Sequence, residues 1–176
     1  YTKGDMPFVD SPVSGYLIDF VAKDENIKNV LISAHWYGRL GLMKPGENLT
    51  DELSKTIGLL QNSGKKVTLI LDAPIFSFHP ETCKGSRWIW PQDQKCDVPV
   101  DVYYAHVNLY REMIENAAKK FVDVEVISPE DAFCDKKTCS MVKDGKLLYR
   151  DFHHLNIEGS KNIGRWLVES HNEIFN

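Results

Sequence analysis

The sequence has no apolar run near the ~18 residues that a membrane-spanning helix needs. Its longest apolar runs, at residues 30–34 and 67–71, have the length of buried strands. It also has no excess of positive charge, because 21 Lys and Arg stand against 25 Asp and Glu and give a net charge of −4. Such a surface offers little attraction to a phosphate backbone, so we expect no nucleic-acid partner.

Several motifs that carry chemistry are also missing. The absence of a glycine-rich phosphate loop argues against a P-loop nucleotide-binding protein, and the absence of a Gly-x-Ser-x-Gly elbow argues against a hydrolase of that type. What is present is an ordinary globular composition, with 43% hydrophobic and 26% charged residues, which predicts one folded domain over residues 1–176. Because the chain begins at Tyr1 and no signal sequence follows, we expect it to be a piece of a longer or processed protein.

Four cysteines fall in two local groups, Cys83 with Cys96 and Cys134 with Cys139. Neither spacing is Cys-x-x-Cys and no paired histidines follow, so a zinc site is poorly supported. We expect two short-range disulfides, although the sequence does not choose among the three possible connectivities. Disulfides indicate an oxidising compartment such as the bacterial periplasm or the extracellular space. The alternative is four reduced thiols in a cytosolic protein.

Apolar runs alternate with amphipathic segments along most of the chain. The patterns predict strands at residues 28–34, 66–71 and 124–127, and helices at residues 50–62, 101–121 and 156–169. Thr50 is the expected N-cap of the first of these helices. The residues expected on the apolar side of the second are Val102, Leu109, Met113 and Ala117. A long loop is predicted at residues 73–100, and an Asp-Gly turn predicts a hairpin within residues 140–150. This order predicts a three-layer α/β/α fold with a mostly parallel sheet, whose ligands bind beyond the carboxyl ends of the strands.

The richest chemical cluster is the run RDFHHLN at residues 150–156, just before the last predicted helix. Asp151 and His154 are spaced so that the carboxylate can turn back onto the imidazole N–H, fix its tautomer and stabilise the imidazolium. A histidine held in this way can deprotonate a serine hydroxyl. The alternative is a helix N-cap region in which Asp151 caps the helix or accepts hydrogen bonds from backbone N–H groups, and His154 packs. We expect His153 to point elsewhere, as a surface or packing residue.

Two further groups of aromatic residues are candidates for a binding pocket. His35 and Trp36 follow the first predicted strand at its carboxyl end, where they would line a substrate pocket or pack under the loop. Arg87, Trp88 and Trp90 lie in the long loop, where they would stack on a sugar ring or, as we favour, plug the loop. Nothing in the sequence points to a cofactor or a resident metal.

The C-terminal run from residue 133 to 167 resembles the end of the SGNH domain that is fused to bacterial acyltransferase-3 membrane proteins. The family pattern there is a cysteine pair, a short hairpin, a Tyr-Arg-Asp-x-x-His-Leu run and a helix with an early glycine. The matching residues are Cys134, Cys139, Tyr149, Arg150, Asp151, His154, Leu155 and Gly159. The run NVLISAHW resembles the family strand that ends in a small residue, a basic residue and Trp, so the resemblance spans roughly residues 27–172.

The resemblance implies an SGNH-hydrolase, flavodoxin-like fold in which Asp151 and His154 are two members of a Ser-His-Asp triad. The family's serine belongs to a Gly-Asp-Ser turn after the first strand, and here Gly4-Asp5 is followed by Met6. We expect the serine and the first strand to lie outside this sequence; the alternative is a degenerate domain without a nucleophile. The family's oxyanion-hole Asn is also absent, where His35 and Trp36 stand.

The function that the resemblance implies is that of a periplasmic O-acyltransferase on an inner-membrane protein. It would move an acetyl group through an acyl-serine to a hydroxyl of a cell-envelope glycan, with the acyl donor delivered by a membrane acyltransferase-3 domain. The nearest alternative is a carbohydrate O-acetylesterase, in which water takes the acyl group, and a second alternative is a non-catalytic glycan-binding or assembly domain. A metal protein that uses Asp151, His153 and His154 is least favoured, because adjacent histidines rarely share one metal.

Overall fold

The structure is a computed structural model that describes residues 12–83 and 96–175. Its helices are α1 (Pro12–Lys23), α2 (Trp36–Leu40), α3 (Leu49–Asn62), α4 (Val100–Val107), α5 (Arg111–Ala118), α6 (Glu130–Phe133) and α7 (Ile157–Ser170). Its strands are β1 (Asn29–Ser33), β2 (Lys66–Ile70), β3 (Asp97–Pro99), β4 (Glu125–Ile127), β5 (Thr138–Ser140), β6 (Val142–Lys143) and β7 (Lys146–Leu147). Across these two ranges, no helix has the length and apolar character that crossing a bilayer requires.

The chain divides into two compact units, and the first contains the parallel sheet. This unit comprises residues 1–71 and 107–127, and its strands are ordered β1-β2-β4, with both pairings parallel. Val30 lies beside Val67, and Leu69 lies beside Val126. All but the first residue of β2 are buried, as expected for the central strand of a sheet covered on both faces. The predicted mixed α/β fold with a parallel sheet flanked by helices is confirmed.

Helix α3 covers the sheet with the apolar side that the sequence predicts, but it begins earlier. Leu53, Ile57 and Leu60 are all buried. Asn48, not Thr50, is the N-cap, and its side chain accepts hydrogen bonds from the backbone N–H groups of Thr50 and Asp51. The prediction of Thr50 was wrong because two neighbouring residues both had the chemistry of a cap, and the backbone conformation chose Asn48.

The predicted long helix over residues 101–121 is broken into α4 and α5. The backbone N–H of Tyr110 bonds to the carbonyl of Val107, three residues back, and both side chains are buried. A tighter turn places residues three apart on one face, so the break lets both side chains enter the core. The predicted apolar side is confirmed only at Ala117, which is fully buried; Val102, Leu109 and Met113 are exposed, and Ile114 is buried in their place.

The second unit comprises residues 72–106 and 128–176 and is built from short elements. The antiparallel pairs are β3 with β5 and β6 with β7. The second pair is the predicted hairpin, and its turn residues Asp144 and Gly145 both have positive φ angles, 51° and 71°. A two-residue hairpin turn that matches the twist of its strands requires this geometry. The predicted long loop contains β3 and a short turn at Pro80–Cys83; residues 84–95 of it lie outside the described part.

Both expected disulfides are present, and both lie in the second unit. Cys83 is bonded to Cys96, and Cys134 is bonded to Cys139. The structure therefore selects the two local pairings among the three connectivities that the sequence allowed. The single-domain interpretation of residues 1–176 stays a prediction.

Candidate active site

The loop between the hairpin and α7 carries Asp151 and His154, and its own backbone closes it. Tyr149 and Leu155 form an isolated antiparallel bridge. The N–H of Arg150 donates to the carbonyl of His154 at 2.9 Å. Residues 150–154 therefore form a short loop whose two ends are paired, which fixes where its side chains point.

The carboxylate of Asp151 is held inside this loop by two backbone donors. Its Oδ1 accepts hydrogen bonds from the N–H of His153 at 3.1 Å and from the N–H of His154 at 2.8 Å. Aspartate commonly bonds to the backbone two or three residues onward in this way, so the turn follows from the residue type. These two backbone hydrogen bonds orient the carboxylate independently of its contact with the imidazole.

The same carboxylate meets the imidazole of His154. Nδ1 of His154 lies 2.8 Å from Oδ2 and 3.1 Å from Oδ1 of Asp151. An ionised carboxylate only accepts hydrogen bonds, so this contact assigns the proton to Nδ1 and directs the lone pair to Nε2. Partial burial tends to raise the pKa of Asp151, but the two backbone N–H donors and the His154 ring outweigh it and hold that pKa well below its ordinary value.

The pair is accessible to solvent. The side chain of His154 is 51% exposed and that of Asp151 is 31% exposed. The part of the alternative in which Asp151 caps the last helix does not fit, because the N-cap of α7 is Asn156, whose side chain accepts from the N–H of Gly159 at 3.0 Å. The part in which Asp151 accepts hydrogen bonds from backbone N–H groups is confirmed, and it coexists with the contact to His154. The arrangement can orient a general base toward a hydroxyl; the catalytic roles of Asp151 and His154 remain predictions.

Asn156 is a positioning residue that the sequence reasoning missed. Besides capping α7, its side-chain N–H₂ donates to the carbonyl of Leu147 at 2.7 Å, and its backbone N–H donates to the carbonyl of Leu148 at 2.9 Å. The helix that follows the loop is therefore tied to the hairpin that precedes it. The signal that could have found it is an Asn immediately before an apolar periodic segment, where N-caps stand.

Tyr149 anchors the beginning of the loop in the core of the second unit. Its side chain is completely buried, with Phe76 and Phe133 packed edge-on against it at ring distances of 5.0 and 5.7 Å. Burial, and then the neighbouring Tyr103, raise the pKa of the Tyr149 hydroxyl well above its ordinary value. This tyrosine stays neutral and fixes the backbone from which Arg150 and Asp151 project.

A shallow depression of about 600 Å³ lies beside the pair. It mixes cationic, amide, hydroxyl and apolar side chains, which suits a polar ligand with some apolar surface. Its lining residues are Arg150, Leu155, Asn156, Ile157, Ser160 and Lys161.

His153 does not point away from the site, contrary to the prediction. Its ring centroid lies 4.0 Å from that of His154, and its Nδ1 lies 3.8 Å from Oδ1 of Asp151. The strand-like alternation that would separate neighbouring side chains does not apply, because the Asp151 turn bends the backbone between them.

His35 and Trp36 lie in the first unit, after the carboxyl end of β1. Trp36 is fully buried, and its indole N–H donates to the carbonyl of Ile70 at 2.7 Å. That side-chain donor is therefore committed to the end of β2. His35 is exposed, with its ring against Gly38. The role of both residues in a substrate pocket stays a prediction. Arg87, Trp88, Trp90 and the Gly4-Asp5-Met6 run lie outside the described residues.

The architecture and the site together define a class: an α/β protein with a parallel sheet, whose last helix follows a loop that pairs a carboxylate with an imidazole. Comparison with models of protein families identifies the family within this class. The family model of the SGNH domain (fused to AT3 domains) matches residues 15–168, and the chain belongs to this family. Searches of curated proteins and of solved structures found no significant match. Membership implies an O-acyltransferase-like or esterase-like domain whose partner is an AT3 membrane domain.

Proposed function

We propose that this chain is the extracytoplasmic part of a glycan O-acyltransferase that works through an acyl-serine. The observation that carries the proposal is the 2.8 Å contact between Nδ1 of His154 and Oδ2 of Asp151 on a solvent-accessible loop. The family supports the reaction class, because its SGNH domain is fused to AT3 domains. The two disulfides support a location in the periplasm.

The proposed reaction is a double displacement. Nε2 of His154 takes the proton of a serine hydroxyl, contributed by a segment outside these 176 residues, as the serine oxygen attacks the carbonyl of an acyl donor. Asp151 stabilises the imidazolium through Nδ1–H, and His154 then returns the proton to the leaving group. In the second half, Nε2 removes the proton of a glycan hydroxyl as its oxygen attacks the acyl-serine, and the imidazolium then returns that proton to the departing serine oxygen.

The depression beside the pair supports a glycan hydroxyl as the acceptor. Arg150, Asn156 and Ser160 offer polar groups there, while Leu155 and Ile157 offer apolar surface. Sugar rings present both kinds of surface, and this mixture binds them through hydrogen bonds and packing. The same exposure would admit water, so an O-acetylesterase with the same residues in the same roles is the nearest alternative.

The test is made on the full-length protein that contains this chain, in bacterial cells that produce it. The assay releases O-acetyl groups from the envelope glycan with mild alkali and measures the acetate. We expect His154→Ala to lower the transfer rate by about 100-fold or more, since general-base catalysis contributes roughly 10²–10⁴-fold. Asp19→Asn is the matched control, because Asp19 is 60% exposed on α1 and makes only a surface ion pair with Lys23.

Two outcomes would contradict the proposal in different ways. If His154→Ala cells carry as much O-acetyl as wild-type cells, the domain is a non-catalytic glycan-binding or assembly module. If purified full-length protein hydrolyses p-nitrophenyl acetate in a His154-dependent way but never acetylates the envelope glycan, the domain is an esterase.

Labelling with a fluorophosphonate, followed by peptide mapping, tests the serine, and the absence of any labelled serine would refute the acyl-serine.

A further inference from the structure

Three potential metal ligands converge on the loop before α7. Asp151, His153 and His154 each offer one ligand atom, and these atoms all lie within 4.8 Å of one another. Nδ1 of His154 is 2.8 Å from Oδ2 of Asp151, and Nδ1 of His153 is 3.8 Å from Oδ1. The proposed acyl transfer assigns no step to His153.

These distances match those of a tetrahedral zinc site. Zn²⁺ binds imidazole nitrogen and carboxylate oxygen at about 2.0–2.2 Å, which places neighbouring ligand atoms about 3.3–3.5 Å apart. At Oδ1 of Asp151, the contacts with Nδ1 of His154 at 3.1 Å and with Nδ1 of His153 at 3.8 Å lie on either side of this separation. Small rotations of the imidazole rings, which lie 4.0 Å apart and tilted by 40°, would equalise them. The objection that adjacent histidines face apart therefore does not hold for this loop.

The surroundings suit a cation that enters and leaves. The side chains of Asp151 and His153 are about one-third exposed and that of His154 is half exposed, so an ion has a path from solvent. The backbone N–H groups of His153 and His154 hold Oδ1 of Asp151, which orients the carboxylate as outer-shell donors do in metal sites. Three protein ligands leave a fourth position for water.

One neighbour opposes a cation. Nε of Arg150 lies 3.7 Å from Oδ2 of Asp151, so its positive charge would repel the ion and lower the affinity. This arrangement fits reversible binding rather than a permanently held ion. Replacing Arg150 with an uncharged residue should therefore raise the affinity for the cation, whereas loss of a ligand should lower it.

We propose that Asp151, His153 and His154 form a reversible zinc site that switches off the acyl transfer. Zn²⁺ binds the lone pair of Nδ1 of His154 while the ring proton moves from Nδ1 to Nε2, so the imidazole stays neutral and Asp151 becomes a ligand to the ion instead of an acceptor for the imidazole. Nε2 then has no lone pair with which to take the proton of a hydroxyl, so His154 can no longer act as the general base. The inhibition rests on the proposed function, whereas the zinc binding does not.

The first measurement is zinc binding to the metal-free full-length protein, in competition with a chromophoric chelator. We expect His153→Ala to weaken the binding at least tenfold and Arg150→Gln to strengthen it several-fold. Asp19→Asn is the control, because Asp19 is an exposed carboxylate on α1 that belongs to neither group of potential metal ligands, so the zinc affinity should be unchanged. Mg²⁺ should not compete, since it prefers oxygen ligands.

The second measurement is acyl transfer by the same proteins with and without zinc. We expect zinc to inhibit the wild type, and His153→Ala to need at least tenfold more zinc for half-inhibition, measured relative to its own metal-free rate. Equal zinc affinity in wild type and His153→Ala would overturn the site. Zinc that binds through His153 but leaves the transfer rate unchanged would overturn the switch. His153-dependent binding by a protein with no metal-free activity would leave the site standing and count against the proposed function alone.

Discussion

Gly159 is the position where the structure gives the sharpest prediction, because the helix that follows the candidate site has no room for a side chain there. A Cβ atom on residue 159 would lie 2.0 Å from the carbonyl oxygen of Leu148 and 3.1 Å from Cδ2 of Leu155. The nearest atom belongs to the backbone just after β7, and a backbone carbonyl cannot rotate away as a side chain can. Gly159→Ala therefore requires α7 to move by about 1 Å relative to the hairpin.

The expected cost follows from three contributions of known size. Overpacking against an unyielding neighbour costs about 1–3 kcal/mol, and the upper end applies because the neighbour is backbone. Moving the helix also stretches the cap bond from Gly159 to Asn156, which is worth about 1 kcal/mol. Alanine gains about 1 kcal/mol over glycine in helix propensity. The net loss in the free energy of unfolding should be about 3 kcal/mol.

The assay is urea denaturation of wild type, Gly159→Ala and Gly164→Ala under one set of conditions. Gly164 lies on the same helix, and no neighbouring atom of the described residues comes within 4 Å of the position that a Cβ would take there. Gly164→Ala should therefore be neutral or gain up to about 1 kcal/mol. The reasoning is refuted if the two variants have the same stability. A loss at both positions would show that α7 tolerates no alanine for some reason other than the contact with Leu148.

Two further predictions concern the hydrogen bond of Trp36 and the carboxylate of Asp151. Trp36→Phe should lower the free energy of unfolding by about 2–4 kcal/mol, because it leaves the carbonyl of Ile70 without its buried donor and opens a cavity; an unchanged urea midpoint would contradict this. Asp151 should make the fold sensitive to acid, because its pKa is lower in the folded protein than in the unfolded chain. Its contribution is complete above the ordinary pKa of about 4 and is lost as the pH falls below that value toward the folded pKa. Stability measured from about pH 6 to about pH 2 should therefore fall less steeply in Asp151→Asn, and parallel curves would count against the assignment.

Much of the fold could be predicted because short-range patterns determine it. The three parallel strands were predicted to within about two residues at each end, since each is a compact apolar run between polar residues. The hairpin followed from Asp144-Gly145, where few other pairs adopt the required backbone angles. The prediction of one long helix failed where the structure has α4 and α5. The choice between a continuous helix and two short ones depends on which side chains pack in the core. Tyr110 and Ile114 are both more buried than Val102, Leu109 and Met113, which the periodicity favoured.

In the candidate site, too, the short-range contacts could be predicted and the rest could not. Asp151 and His154 could be predicted to meet, because a carboxylate three residues before a histidine can reach both the backbone N–H and the ring of that histidine within one turn. The direction of His153 could not, since it depends on backbone angles inside the loop. Nor could the burial of Trp36, because its hydrogen bond to Ile70 joins residues 34 positions apart.

The contacts that hold the pair together have a consequence for the proposed mechanism. Within the described part of the chain, the hydrogen bonds that orient Asp151 and His154 come from residues 147–159, all in the second unit. The pair is therefore held by contacts within its own loop. These contacts support a general base and leave the nucleophile to be identified chemically. This is why covalent labelling of serine, rather than closer measurement of the pair, separates an acyl-enzyme from a domain that only binds.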